Sequence, residues 1–356
     1  MLNKYWIGLG VIALFLIAVW VFGDRKDNDS SHCNIETQAL YIDQNGAVTD
    51  PIVKLLGLTG IRIQNDSLAA APNWPEAKIS LKSRQLAEVV PAIQGKIDSH
   101  SSWFGDSSKE RWEKDPKKLT LSYEQAGLII HICRAELGQE KQIVSQASPR
   151  GILFLGATLS TVRKRLAYLN AQYEAKNLSP TTPVYLLTGE RKLDETIGET
   201  PLNLMKPQNG IIPFRNDWKT PADTPLEEGQ MIKLVFNQSR HTALEEASIR
   251  YVYSPKGTGL RATRQTTIIQ WLKEFSPLTG HYIAISSQPY IMYDESVIRR
   301  VLLQSGRPDI CVSVVGPGMQ AKAPTETESL HQALNLLNNL SRILYELLEI
   351  QKLPQR

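Results

Sequence analysis

Residues 151–158 read Gly-Ile-Leu-Phe-Leu-Gly-Ala-Thr, an apolar run that stops on small and polar residues. A run this short and this continuous fits a strand buried on both faces. Ser160–Glu174 follows with helical spacing. The pattern then repeats. Pro183–Leu187, Ser248–Tyr253, His281–Ile285 and Asp309–Val315 are strand-like, and helices are predicted near Leu226–Asn237, Thr263–Phe275 and Asp294–Gln304. Alternation of this kind predicts an α/β fold, a Rossmann-like three-layer sandwich around a mostly parallel sheet.

Each predicted strand runs into Gly, Ser or Thr: Gly156-Ala157-Thr158, Thr188-Gly189-Glu190, Ser254-Pro255-Lys256-Gly257, Ser286-Ser287-Gln288 and Gly316-Pro317-Gly318. One such turn carries little weight, because βα turns favour these residues for backbone reasons alone. Five in series predict a ligand crevice at the carboxyl ends of the strands. There, small residues let backbone N–H groups and helix N-termini approach an anion.

Candidate ligand residues follow from that crevice. They are Gly156, Ala157, Thr188, Gly189, Thr263, Thr266, Ser286, Ser287 and Gln288, with Arg163 and Arg165 as forked donors for phosphate or carboxylate. Arg261 and Arg264 would strengthen an anion site if they turn inward. Glu190 and Glu228 are the candidate acid or base groups. Ser286 and Ser287 lack the GxSxG elbow and a nearby histidine base, which argues against a serine hydrolase. No P-loop, GxGxxG or HExxH is present, so the cofactor stays unknown; no metal site is expected, although two carboxylates such as Glu190 and Glu228 near one ligand could hold a divalent ion.

Upstream, Tyr5–Gly23 is a 19-residue segment without a charged side chain. As a helix it would rise ~28 Å, about the thickness of the hydrocarbon core. Tyr5, Trp6 and Trp20 sit near its ends, where amphipathic rings favour the interface. Its Val19-Trp20-Val21-Phe22 end is a poor cleavage site. The expectation is an uncleaved transmembrane anchor (1–23) and a polar linker (24–32), followed by an elaboration (33–118) and the α/β domain (119–356). Lys4 on one side against Arg25 and Lys26 on the other leaves the positive-inside count nearly balanced. The short tail before the helix places the domain outside an inner membrane, in the periplasm.

The 356 residues carry a formal charge of +4, with basic residues scattered among acids. That pattern excludes the clustered basic stripe of a nucleic-acid binder. The three widely spaced cysteines predict no disulfide framework, with Cys133 and Cys311 as small core residues and Cys33 as an isolated thiol. The terminal helix, Glu326–Gln351, opens on Thr325-x-x-Glu328, a capping-box pattern. Its leucine face predicts packing on the sheet or a homodimer seam.

The series of strand ends resembles the bacterial family of unknown function that includes YdcF, SanA and ElyC. The likeness runs from about Gly151 to Leu348. It rests on Phe154-Leu155-Gly156-Ala157 with Arg163 and Arg165, Leu187-Thr188-Gly189, Glu227 or Glu228 with Met231, Arg261 to Thr267, and Ser286-Ser287. Gly156-Ala157 stands where the family has Gly-Gly. Gln288-Pro289-Tyr290 stands where typical members place a histidine shortly after the Ser pair. The resemblance implies an envelope-associated α/β protein linked to peptidoglycan or lipid-carrier metabolism, and one member binds a nucleoside-type cofactor. Two functions are therefore expected to compete. One is an anchored domain that binds or acts on a small anionic ligand. The other is a non-catalytic scaffold, with Trp103, Phe104 and Trp112 as its first contact surface.

Overall fold

A computed structural model describes residues 39–60, 84–99, 121–139, 149–207, 211–239, 244, 248–259, 261–319 and 325–354. The expected anchor at 5–23, the linker after it and the aromatic stretch around Trp103 lie outside the described residues. Among the described residues, no helix is long and apolar enough to cross a membrane.

Among the described residues, three helices precede the sheet: α1 (Asp50–Leu58), α2 (Leu86–Ser99) and α3 (Tyr123–His131), the last continuing as a π-helical turn over Ile132–Glu136. The sheet and its crossovers follow as β1 (Ile152–Leu155), α4 (Leu159–Glu174), β2 (Val184–Gly189), the short α5 (Pro201–Leu204), α6 (Glu228–Gln238) and β3 (Ile249–Ser254). The chain continues through α7 (Arg264–Phe275), β4 (Gly280–Ile285), α8 (Ile291–Gln304), β5 (Ile310–Val315) and α9 (Glu326–Gln351).

All five strands are parallel, in the order β3-β2-β1-β4-β5. The order reverses between β1 and β4, which makes that pair the topological switch point of a doubly wound sheet. Every residue of β1, β2 and β5 is buried, as a strand covered on both faces requires. Alternate side chains feed two cores. Ile152, Phe154, Val184, Leu186 and Ile283 pack with α4 and α6 on one face. Leu153, Leu155, Leu187, Ala284 and Val312 pack with α7 and α8 on the other. Each of these Val, Leu, Ile and Phe side chains contributes roughly 1.5–3 kcal/mol by leaving water.

A third core lies outside the sheet. The leucine face of α9, including Leu337, Leu340, Leu344 and Leu347, is buried with Ile52 and Leu55 of α1, Val89 of α2 and Ile129 of α3. The face expected to meet the sheet or a second copy is thus covered by the N-terminal helices of the same chain. The Thr325/Glu328 capping box that the sequence predicts is present in both directions.

The cysteines depart from expectation at one position. Cys133 is a buried free thiol, pushed up to about 12 by burial. Cys311, expected as a plain core residue, is disulfide-bonded. Composition alone carries no distance between β5 and another cysteine, so the spacing of the three gave no warning of it.

Candidate functional site

A cavity of about 310 Å³ opens at the carboxyl ends of β1 and β2. Its floor is Gly156 and Ala157 after β1, and Leu187 and Gly189 on β2. Arg165 and Thr161 reach it from α4, Glu228 from the start of α6, and Arg261 to Arg264 from the start of α7. Tyr290, Tyr293 and Asp294 line it from the start of α8. Two floor positions leave little room for a side chain. A Cβ at Gly156 would collide with Glu228 Oε1, and one at Gly189 would lie 2.6 Å from the Ala262 methyl.

Arg165 is almost wholly buried and spans the switch point. Its Nη1 donates to the carbonyls of Leu155 (2.7 Å) and Gly156 (3.2 Å). Its Nη2 donates to Ser286 Oγ (3.2 Å) and Ser287 Oγ (3.3 Å) beyond β4. Ser286 Oγ in turn donates to Asp294 Oδ2 at 2.5 Å. Burial pushes the Arg165 guanidinium down to about 10, against the opposing pull of Asp294 and Glu228 and with the push of Arg264. The fork therefore ties β1 to β4, with little left over for a ligand.

A second buried network flanks the floor. Arg191, just after β2, donates through Nη1 and Nη2 to both oxygens of Glu199 (2.7 and 2.8 Å) and through Nε to Glu228 Oε2 (2.8 Å). Burial alone would lower the Arg191 value, but the bonds to Glu199 and the charges of Glu228 and Glu199 hold it above the ordinary guanidinium range. Glu199 also accepts from the backbone N–H groups of Leu159 (3.1 Å) and Asp194 (2.9 Å). The first N–H of α4, where a doubly wound fold would hold a ligand's anion, is thus occupied by a carboxylate of the chain itself.

Other residues expected at the site lie elsewhere or are spent on structure. Arg163 is buried, donates to the carbonyls of Asn203 and Leu204, and faces Phe214. It lies on α4 two positions from Arg165, hence on a different face of the helix. Glu190 turns away from the cavity to accept from the Lys256 backbone N–H and pair with its ammonium. Thr188 donates to the Val252 carbonyl and is buried within the sheet. Thr263 lines the cavity, while Thr266 closes a reciprocal capping box with it. Ser286 and Ser287 are held by Arg165 behind the floor, and the Gln288 side-chain amide donates to the Gly138 carbonyl. The crevice does gather Gly156, Ala157, Gly189, Thr263, Arg165 and Glu228.

Arg264 does turn inward, giving Nε to Asp294 Oδ1 (3.0 Å) and Nη2 to the Gly156 carbonyl (3.3 Å). Arg191, Glu199, Asp294 and the two tyrosines were missed by sequence reasoning. Asp294 carries a weak signal, an acid in the first turn of a helix. Glu199 carries none, because its partners come from two separate segments, Leu159 and the loop from Arg191 to Asp194. Among the described residues, no group of three or more His, Cys, Asp or Glu side chains is placed to hold a metal ion. The chain matches no protein-family model, no curated protein and no solved structure.

Proposed function

We propose that this chain is an envelope protein, tethered to the inner membrane by residues 5–23, whose α/β unit binds or acts on a small anionic ligand in the cavity at the carboxyl ends of β1 and β2. One observation carries the reading: four arginines (165, 191, 261 and 264) surround a single cavity, and Glu228, Asp294 and the Glu199 that pairs with Arg191 from outside it leave one positive charge in excess. An excess of fixed positive charge between low-dielectric walls attracts anions. The likeness to the YdcF, SanA and ElyC family makes phosphorylated cell-wall or lipid-carrier precursors the first ligands to try. The disulfide at Cys311 supports a periplasmic domain, because such bonds persist in oxidising compartments. Protease added to intact spheroplasts should then cleave the domain.

The ligand reading is tested by thermal shift on the full-length chain with phosphate-bearing nucleotides and cell-wall precursors. Saturation at a hundred times Kd adds about 2.7 kcal/mol of stability. Arg261→Ala or Arg264→Ala should remove most of that gain. If no phosphate-bearing compound moves Tm, the non-catalytic scaffold is the better account.

A further inference from the structure

The cavity's two carboxylates are not equivalent. Both oxygens of Asp294 are engaged, Oδ1 by Arg264 and Oδ2 by Ser286. Glu228 is 9% exposed, and only its Oε2 is held, by Arg191 Nε. Its Oε1 lies over Gly156 on the cavity floor and meets no hydrogen-bond donor among the described residues. A carboxylate oxygen of a largely buried residue is therefore turned to the cavity, where water must solvate it when no ligand does. A ligand that displaces that water without supplying a donor leaves an ionised acceptor dry, which is costly.

The rest of the wall restricts the choice. The positive pole is the Arg261–Arg264 turn at the start of α7, and the acceptor pole is the start of α6. A bare anion satisfies the first and is repelled by the second. Resting on the anion-binding reading above, we infer that the ligand is a hydroxyl-bearing organic phosphate, a phosphorylated sugar or polyol. One hydroxyl donates to Glu228 Oε1 while the phosphate sits against Arg261 and Arg264. Tyr290 and Tyr293 line the same cavity, and aromatic side chains there suit the apolar part of a ring. Sites built to hydrogen-bond a hydroxyl reject analogues that lack it.

The test is isothermal titration of the full-length chain with glucose 1-phosphate, cyclohexyl phosphate and inorganic phosphate. The first two share a six-membered ring and a phosphate and differ in hydroxyls. Glucose 1-phosphate is expected to bind about tenfold to a hundredfold tighter than cyclohexyl phosphate, the worth of a hydrogen bond to a charged group. In Glu228→Gln, with its Tm measured to confirm folding, that preference should shrink and inorganic phosphate should bind better than it does to the wild type. Equal or tighter binding of cyclohexyl phosphate by the wild-type chain overturns the hydroxyl requirement while leaving the anion site standing. Failure of all three probes to bind overturns both.

Discussion

Arg165→Met should lower the stability of the chain by about 3–5 kcal/mol, read as a fall in denaturant midpoint at unchanged slope. Methionine fills most of the same volume, so the loss is polar rather than a cavity effect. Four hydrogen bonds disappear together, two to the ends of β1 and two to the serines after β4. The carbonyls of Leu155 and Gly156 keep their sheet environment but lose a charged donor. Asp294, buried to 2% exposure, loses a nearby positive charge that acts through Ser286. Arg165→Lys should recover only part of the loss, since an ammonium cannot fork across two strands. The pH dependence has a definite sign. The folded value near 10 lies below the ordinary 12.5. Between the two, the unfolded chain binds more protons, so this group's contribution to stability rises with pH across that alkaline window. An Arg165→Met chain with wild-type stability would show that the fork is not what holds β1 to β4.

The second large effect is expected at the Glu199–Arg191–Glu228 network. Arg191→Met strands Glu199, whose side chain is 0% exposed, with only two backbone N–H groups to offset its charge. Removing one partner of a buried pair costs about 3–5 kcal/mol. The double variant Arg191→Met/Glu199→Gln removes both charges and should be more stable than the sum of the single changes predicts, by roughly 0.5–3 kcal/mol. Additive losses would mean that the two side chains act independently, against the geometry. Because Arg191 fixes Glu228 Oε2, the Arg191 single variant should also loosen the preference of the cavity for hydroxyl-bearing ligands.

The strands were legible because each is a short apolar run ending on Gly, Ser or Thr, and the observed bounds fall within two residues of the expected ones. The crevice was legible for the same reason, since it is built on those ends. What the pattern could not carry was direction. Arg163 and Arg165 share a helix and a charge, yet one braces the loop at Asn203 and Leu204 while the other crosses the switch point. Glu190 and Glu228 were equal candidates, and only Glu228 faces the floor. Glu199 was invisible because it is made important by Leu159 and Arg191, forty and eight positions away. Helical periodicity identified the apolar face of α9 but not what covers it, and the covering segments are the N-terminal helices that local patterning described least well.

That third core constrains the order in which the protein can be completed. Its contributors range from Tyr41 to Leu348, about three hundred residues apart in sequence. Synthesis runs from the amino end, so α1, α2 and α3 emerge long before the helix that buries them. Their apolar faces must wait for α9 to leave the ribosome. Contacts this distant in sequence close slowly, and apolar surface exposed in the interval is open to aggregation. The nascent protein therefore needs shelter for these three helices until α9 arrives.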